Sequence, residues 1–158
     1  MINIDTMIRK EIENGYGDAN AQAKVCQDID QEEYCFDIAY DDEGANLLIN
    51  TNEQMIAEKL RSLLRLGTLS TRYKDVFDIY YLCQHADIEK LSRCLSIYIF
   101  DDPAMREKDI GGVYKRISKV FKDRMYLSNL RSRDANWLGE DVDVVLKGIL
   151  DYIRSLEV

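Results

Sequence analysis

Proline is almost missing from this chain: Pro103 is the single one among 158 residues. That excludes a polyproline segment or a proline-stiffened linker between domains. Histidine is as scarce, with His85 alone, and the four cysteines, Cys26, Cys35, Cys83 and Cys94, never form a C-x-x-C pair. A zinc centre needs several such ligands at close spacing, so no metal-ligating residue is expected. Three of the cysteines fall within apolar patterns, which suits reduced, buried thiols in a cytoplasmic protein. No apolar run approaches the ~20 residues of a membrane span, so no membrane association is expected. Residues 1–17 lack an apolar secretory core, so no signal peptide is expected either.

What the chain does have is charge and helical periodicity. Charged residues make up 32% of it, the formal net charge is −8 and the pI is near 4.7, as suits a soluble protein. The length predicts a single domain over 1–158 with a real core. Residues 1–30 read as N-terminal helices: one over 3–14, ended by Gly15 and Gly17, and a second over 19–28 capped by Asp18. Tyr34, Phe36, Ile38 and Tyr40 then alternate with Cys35, Asp37 and Ala39, a strand pattern. The run Asp41-Asp42-Glu43-Gly44 reads as a turn and 46–50 as a second strand, so 33–50 is expected to be a β-hairpin. Such a hairpin is marginal alone and must pack on something. The remainder, 51–158, reads as helical. Asp87 caps a helix with Ile88, Leu91, Leu95 and Tyr98 inward. Asp101-Asp102-Pro103 breaks it. A helix over 109–124 follows, then a loop around 127–139 anchored by Trp137, then a terminal helix carrying Val142, Val145, Leu146, Ile149, Ile153 and Leu156. The fold class expected is α+β and predominantly α-helical, a helical bundle with one small β-hairpin.

The rest of the chain is organised around residues 51–82. Thr51 and Gln54 match a capping box. Met55, Ile56, Leu60, Leu63 and Leu64 recur at helical spacing, and Gly67 is a plausible stop. At about 100° per residue, Lys59 falls on the flank of that stripe, while Glu58, Arg61 and Arg65 fall on the solvent side. In a second helix, from about 71 to 84, Val76, Phe77, Ile79, Tyr80 and Cys83 form the buried face. Asp75 lies on its border, with Asp78 one turn on. Taken alone, Lys59 reads as a snorkelling lysine, and Asp75 as a first-turn aspartate paired with Arg72. Two carboxylates on one helix face also suit a hard cation or a proton acceptor. Spacing does not choose between these.

The sequence Glu58-Lys59-Leu60, followed by Arg72, Lys74, Asp75, Val76, Phe77, Asp78, Ile79 and Tyr80, resembles the C-terminal motif of the AbiEii/AbiGii-type nucleotidyltransferase toxins. These are polymerase-β-like enzymes of bacterial toxin–antitoxin and abortive-infection (phage defence) systems. The resemblance extends more weakly over about 34–99. It implies that Lys59 contacts nucleotide phosphates, that Asp75 or Asp78 acts near the transferred group, that Arg72 and Lys74 help bind the nucleotide, and that Mg²⁺ and an NTP are required. The family carries, upstream, a Gly-Ser turn and an Asp-x-Asp strand that hold the triphosphate and Mg²⁺. This chain has no Gly-Ser. Asp28-Ile29-Asp30 follows an Ala-rich helical stretch and reads as helix-end or loop acids. The resemblance therefore implies part of a nucleotidyltransferase-like fold that is incomplete, weak or inactive in this form.

Charge is uneven. Residues 28–58 are almost wholly acidic, whereas Arg106, Lys108, Lys115, Arg116, Lys119, Lys122, Arg124, Arg131 and Arg133 face three acids over 106–133. Such a face tracks an RNA backbone in one reading and is a solvated helix face in the other. Two functions stand open. One is transfer of NMP from an NTP to RNA (tRNA) or protein. The other is a non-catalytic helical module that binds a partner protein such as a cognate antitoxin. The first requires Lys59 and Asp75 to converge; the second expects them in separate environments.

Overall fold

The computed structural model describes residues 31–38, 41–132 and 134–156, and for 31–48 the backbone alone. The expected helices of 3–14 and 19–28, with Asp28, Asp30 and Cys26, lie outside the described residues, as does Arg133. Two strands open the described part, β1 (Gln31–Ile38) and β2 (Asp41–Asn50). They pair antiparallel, with Gln31 opposite Asn50 and Phe36 opposite Ala45. The register slips before Ile38 pairs with Asp41, so Asp42–Gly44 are taken up as an irregularity inside β2. This corrects the expected turn at 41–44: the acidic, glycine-containing run forms a bulge, which a strand tolerates at a local twist.

Six helices follow: α1 (Asn52–Leu66), α2 (Lys74–Cys83), α3 (Ile88–Leu95), α4 (Ile110–Val120), α5 (Arg124–Leu130) and α6 (Val142–Ser155). A π-helical turn, Ser96–Phe100, continues α3. Helix α1 is the hub, packing on α2, α3, the π turn and α4, while α6 closes the bundle against α2 and α4. The described part is thus predominantly helical with a two-stranded sheet.

Four of the five residues expected in the apolar stripe of α1, Ile56, Leu60, Leu63 and Leu64, are buried and Ala57 joins them, while Met55 is only half-buried. Each large side chain there contributes about 1.5–3 kcal/mol of burial. Thr51 caps α1 by accepting from Gln54 N at 3.2 Å. The reciprocal half of the capping box is absent: the Gln54 side-chain amide, fully buried, donates to Glu58 instead, at 3.3 Å. Gly67 ends the helix with φ +56, a conformation that favours glycine. Buried Glu53 accepts from Asp87 N at 2.6 Å and so ties the start of α1 to the start of α3.

Three further expectations change. Ile88 sits at the first position of α3 and is exposed, whereas Leu91, Leu95 and Tyr98 are buried. Helix α4 stops at Val120, and a separate helix, α5, occupies part of the expected loop; Asp123 caps it by accepting from Tyr126 N at 2.9 Å. Glu58 and Arg61 are half-buried rather than free on a solvent face, because the π turn and the loop after it cover them. Tyr98 OH donates to Glu58 at 3.3 Å, and Arg61 Nε donates to Asp102 at 3.1 Å.

Candidate active site on helices α1 and α2

Lys59 leaves the flank of α1 and meets α2 at its first two turns. Its Nζ donates to Asp75 Oδ1 at 2.8 Å and to Asp78 Oδ2 at 2.9 Å. The i, i+3 spacing of the two aspartates puts both on the edge of α2 that faces α1. Their packing partners Val76, Phe77 and Ile79 are buried and hold that edge in place. Arg72 Nε stands 2.8 Å from the other Asp75 oxygen as an ion pair, off the line of a hydrogen bond. Trp137 Nε1 donates to the other Asp78 oxygen at 2.9 Å. Three of the four carboxylate oxygens therefore accept a hydrogen bond from the protein, and Asp75 Oδ2 is left with the Arg72 ion pair alone. Lys59 and Asp75 are largely buried, with 19% and 12% of their side chains exposed; Asp78 is more open at 31%.

Burial pulls the Lys59 ammonium toward neutrality, but the hydrogen bonds it donates to Asp75 and Asp78, with their negative charge, outweigh it, so its pKa lies above the ordinary 10.5. Two of its three N–H groups are spent on aspartates, leaving one.

The cluster opens to solvent on two sides of Arg72. One depression, of about 270 Å³, is lined by Asn50, Met55, Glu58, Lys59 and Arg72. The other, of about 410 Å³, is lined by Thr71–Asp75 on one wall and by Ser132, Asp134 and Ala135 on the other. Lys74 is exposed on the rim of the second. The structure thus brings together Lys59, Asp75, Asp78 and Arg72, and places Lys74 beside them. The arrangement in which Lys59 and Asp75 sit in separate environments is not found.

Sequence reasoning missed two participants. Trp137 was expected to anchor its loop, and it does so on Asp78 itself. Tyr126 is buried beside the cluster with no partner for its hydroxyl, and burial first, then Tyr73 and Asp75, push its phenol pKa up. Its ring lies 5.4 Å from that of Tyr73, whose hydroxyl accepts from Asn129 at 2.8 Å. The only sequence signal for either was an aromatic residue in a polar stretch.

Mg²⁺ and an NTP are implied by the resemblance alone. The described residues do not fit Mg²⁺: both aspartates of α2 are engaged by Lys59, and no group of three or more described His, Cys, Asp or Glu could hold a metal ion. A phosphate fits better, because Arg72 is 61% exposed and Lys74 lies next to it. Cys83 and Cys94 are not joined in a disulfide, and burial pushes the Cys83 thiol up to about 12. His85 is exposed against the Tyr81 ring. Among the described residues no helix is long and apolar enough to cross a membrane.

A family model described as "Nucleotidyl transferase AbiEii toxin, Type IV TA system" matches residues 7–148. The chain belongs to the AbiEii toxin family. The match covers the hairpin, the Lys59 and α2 cluster and the first half of α6, so the elements that build the site lie within it. No curated protein and no solved structure matches the chain. At the level of the family, this AbiEii chain is a toxin nucleotidyltransferase of a toxin–antitoxin system.

Proposed function

We propose that this AbiEii chain carries the lysine–aspartate part of a nucleotidyltransferase site that moves NMP from an NTP to RNA, such as tRNA, or to protein. Lys59 steadies the phosphates through its remaining N–H, Arg72 and Lys74 bind them from the rim, and Asp75 or Asp78 stands near the transferred group. Catalysis of this kind rests on positioning and charge neutralisation. The observation that supports the reading is the convergence of Lys59, Asp75, Asp78 and Arg72 at the wall between two open depressions. The helical part is read as a portion of a nucleotidyltransferase-like fold, acting in the cytoplasm in abortive infection. With no Gly-Ser turn in the sequence, and with its aspartates already engaged, the chain alone transfers little or nothing.

Incubation with labelled NTPs, Mg²⁺ and total tRNA tests this. Weak or absent labelling is expected. Robust labelling that Lys59→Ala abolishes would keep the site and overturn the inactivity. Robust labelling that survives Lys59→Ala would remove Lys59 from the chemistry.

One observation keeps a second reading, although its expectation of separate environments for Lys59 and Asp75 is not met. Lys59, Asp75, Asp78 and Arg72 largely neutralise one another, as a structural ion-pair network does. In that reading the chain is a non-catalytic helical module that binds an antitoxin, and Lys59→Ala and Asp75→Ala leave antitoxin capture intact.

A further inference from the structure

At the far end of α1 the chain gathers arginines that form no salt bridge with a described acid, although Arg65 is near enough to Asp102 to help hold its carboxyl below the usual range. Arg65, Arg106 and Arg116 line one cavity of about 230 Å³, floored by Leu64 and Met105 and carrying a single carboxylate, Glu107. None of the three arginines forms an ion pair with a described residue. The Nε of Arg116 is buried and has no hydrogen-bond partner. A guanidinium N–H left in that state costs free energy until an acceptor arrives.

The cavity is also held in shape. Asp102, buried, accepts from Arg61 Nε at 3.1 Å and from Ala104 N at 2.8 Å. Lys108 Nζ reaches back to the carbonyls of Phe100 and Asp102, at 3.1 and 2.9 Å. These bonds fix the two ends of the short segment that presents Arg106. On the opposite wall the Arg116 guanidinium lies over Gly67, where a Cβ would come within 2.9 Å of Nη2. The glycine therefore permits the approach that brings Arg116 to the cavity. An adjoining depression of about 550 Å³, lined by Glu58, Arg61, Ser62, Arg65, Leu66 and Tyr98, shares Arg65 with it.

We propose that Arg65, Arg106 and Arg116 form a binding site for a phosphate group. A phosphate accepts hydrogen bonds from several guanidinium groups at once, and Arg is the residue suited to that geometry. The chain carries a net charge of −8, so its overall field repels anions, and capture depends on this local cluster. The site stands on the arginines alone and does not depend on what the Lys59 cluster does. The same chemistry is offered by a free phosphate compound and by an RNA backbone.

Isothermal titration of the full chain with pyrophosphate, and fluorescence anisotropy with a short labelled single-stranded RNA, test the site and separate the two sources. Saturable binding of either ligand is expected, weakened about tenfold by Arg116→Gln or Arg106→Gln and weakened further by added salt. Lys147→Gln removes an exposed cation of α6 that lies outside the basic 106–133 stretch and does not line the cavity, and should leave binding unchanged. Arg106 is exposed, so its variant keeps the test intact if Arg116→Gln folds poorly. Pyrophosphate binding without RNA binding assigns the site to a free phosphate compound, and the reverse assigns it to the backbone. No binding of either, or equal losses in Lys147→Gln and Arg106→Gln, overturns the proposal.

Discussion

Trp137 and Asp78 lie 59 positions apart, yet the indole N–H of Trp137 donates to Asp78 Oδ1 at 2.9 Å while Lys59 takes the other oxygen. The loop before α6 is thereby pinned to α2 at the cluster. Trp137 is the single tryptophan of the chain, so its indole N–H gives one resonance that reports this bond. Asp78→Ala should move that resonance toward the position of a solvent-exposed indole in a ¹H–¹⁵N spectrum. Lys115→Gln, distant on α4, should leave it in place. An unmoved signal in Asp78→Ala would mean that the bond is not formed in solution.

Removing the cation from the cluster should be costly. Lys59 and Asp75 are 19% and 12% exposed, so Lys59→Met leaves one largely buried carboxylate facing only Arg72, with Asp78 open beside it. We expect a loss of about 1–3 kcal/mol in urea unfolding, below the range for fully buried pairs because solvent still reaches the site. Asp75→Asn introduced into Lys59→Met should restore part of the loss, since the uncompensated charge has gone. Strict additivity of the two changes would show that they do not interact.

The same pair sets an alkaline limit. The Lys59 pKa is raised above its ordinary 10.5 in the fold, so the folded state holds the proton more tightly than the unfolded chain. Its stabilisation is complete below pH 10.5 and is lost as pH rises through the folded pKa. The stability gap between wild type and Lys59→Met should therefore be constant at neutral pH and close in strongly alkaline solution. Paired urea titrations across that range measure it. A gap that closes near neutrality would contradict the raised pKa.

Lys59 and Asp75 were legible because a helix repeats every 3.6 residues: once the stripes Ile56–Leu60–Leu63 and Val76–Ile79 are drawn, their flanks are determined. Convergence needed one more fact, that α1 and α2 pack side by side, and only the resemblance supplied a reason to expect it. Trp137 was beyond reach because no periodicity links a loop residue to a helix so far upstream. Helix α5 was missed because its start depends on one Asp123 cap rather than on a long apolar pattern. The turn at 41–44 was misplaced because glycine and acids suit a bulge as well as a turn. Arg61 was read as solvent-facing because its partner, Asp102, comes from a segment with no regular period.

A close contact between α2 and α6 rests on the absence of a side chain. An ideal Cβ on Gly148 would lie 2.5 Å from Tyr80 Cε2 and 3.1 Å from Cδ2, and Tyr80 is a half-buried ring packed on the core. Gly148 sits mid-helix, where alanine would ordinarily gain about 1 kcal/mol. Here Gly148→Ala must push the ring aside or part the helices, and overpacking of this kind costs about 1–3 kcal/mol, so the net change should be destabilising. Trimming the ring tests the cause: in a Tyr80→Leu background, Gly148→Ala should cost less or become favourable. Thermal unfolding of the four variants measures the cycle. If Gly148→Ala raises Tm in the otherwise native chain, the helices do not approach at this glycine, and the support that α6 lends to the aspartate-bearing helix is looser than described.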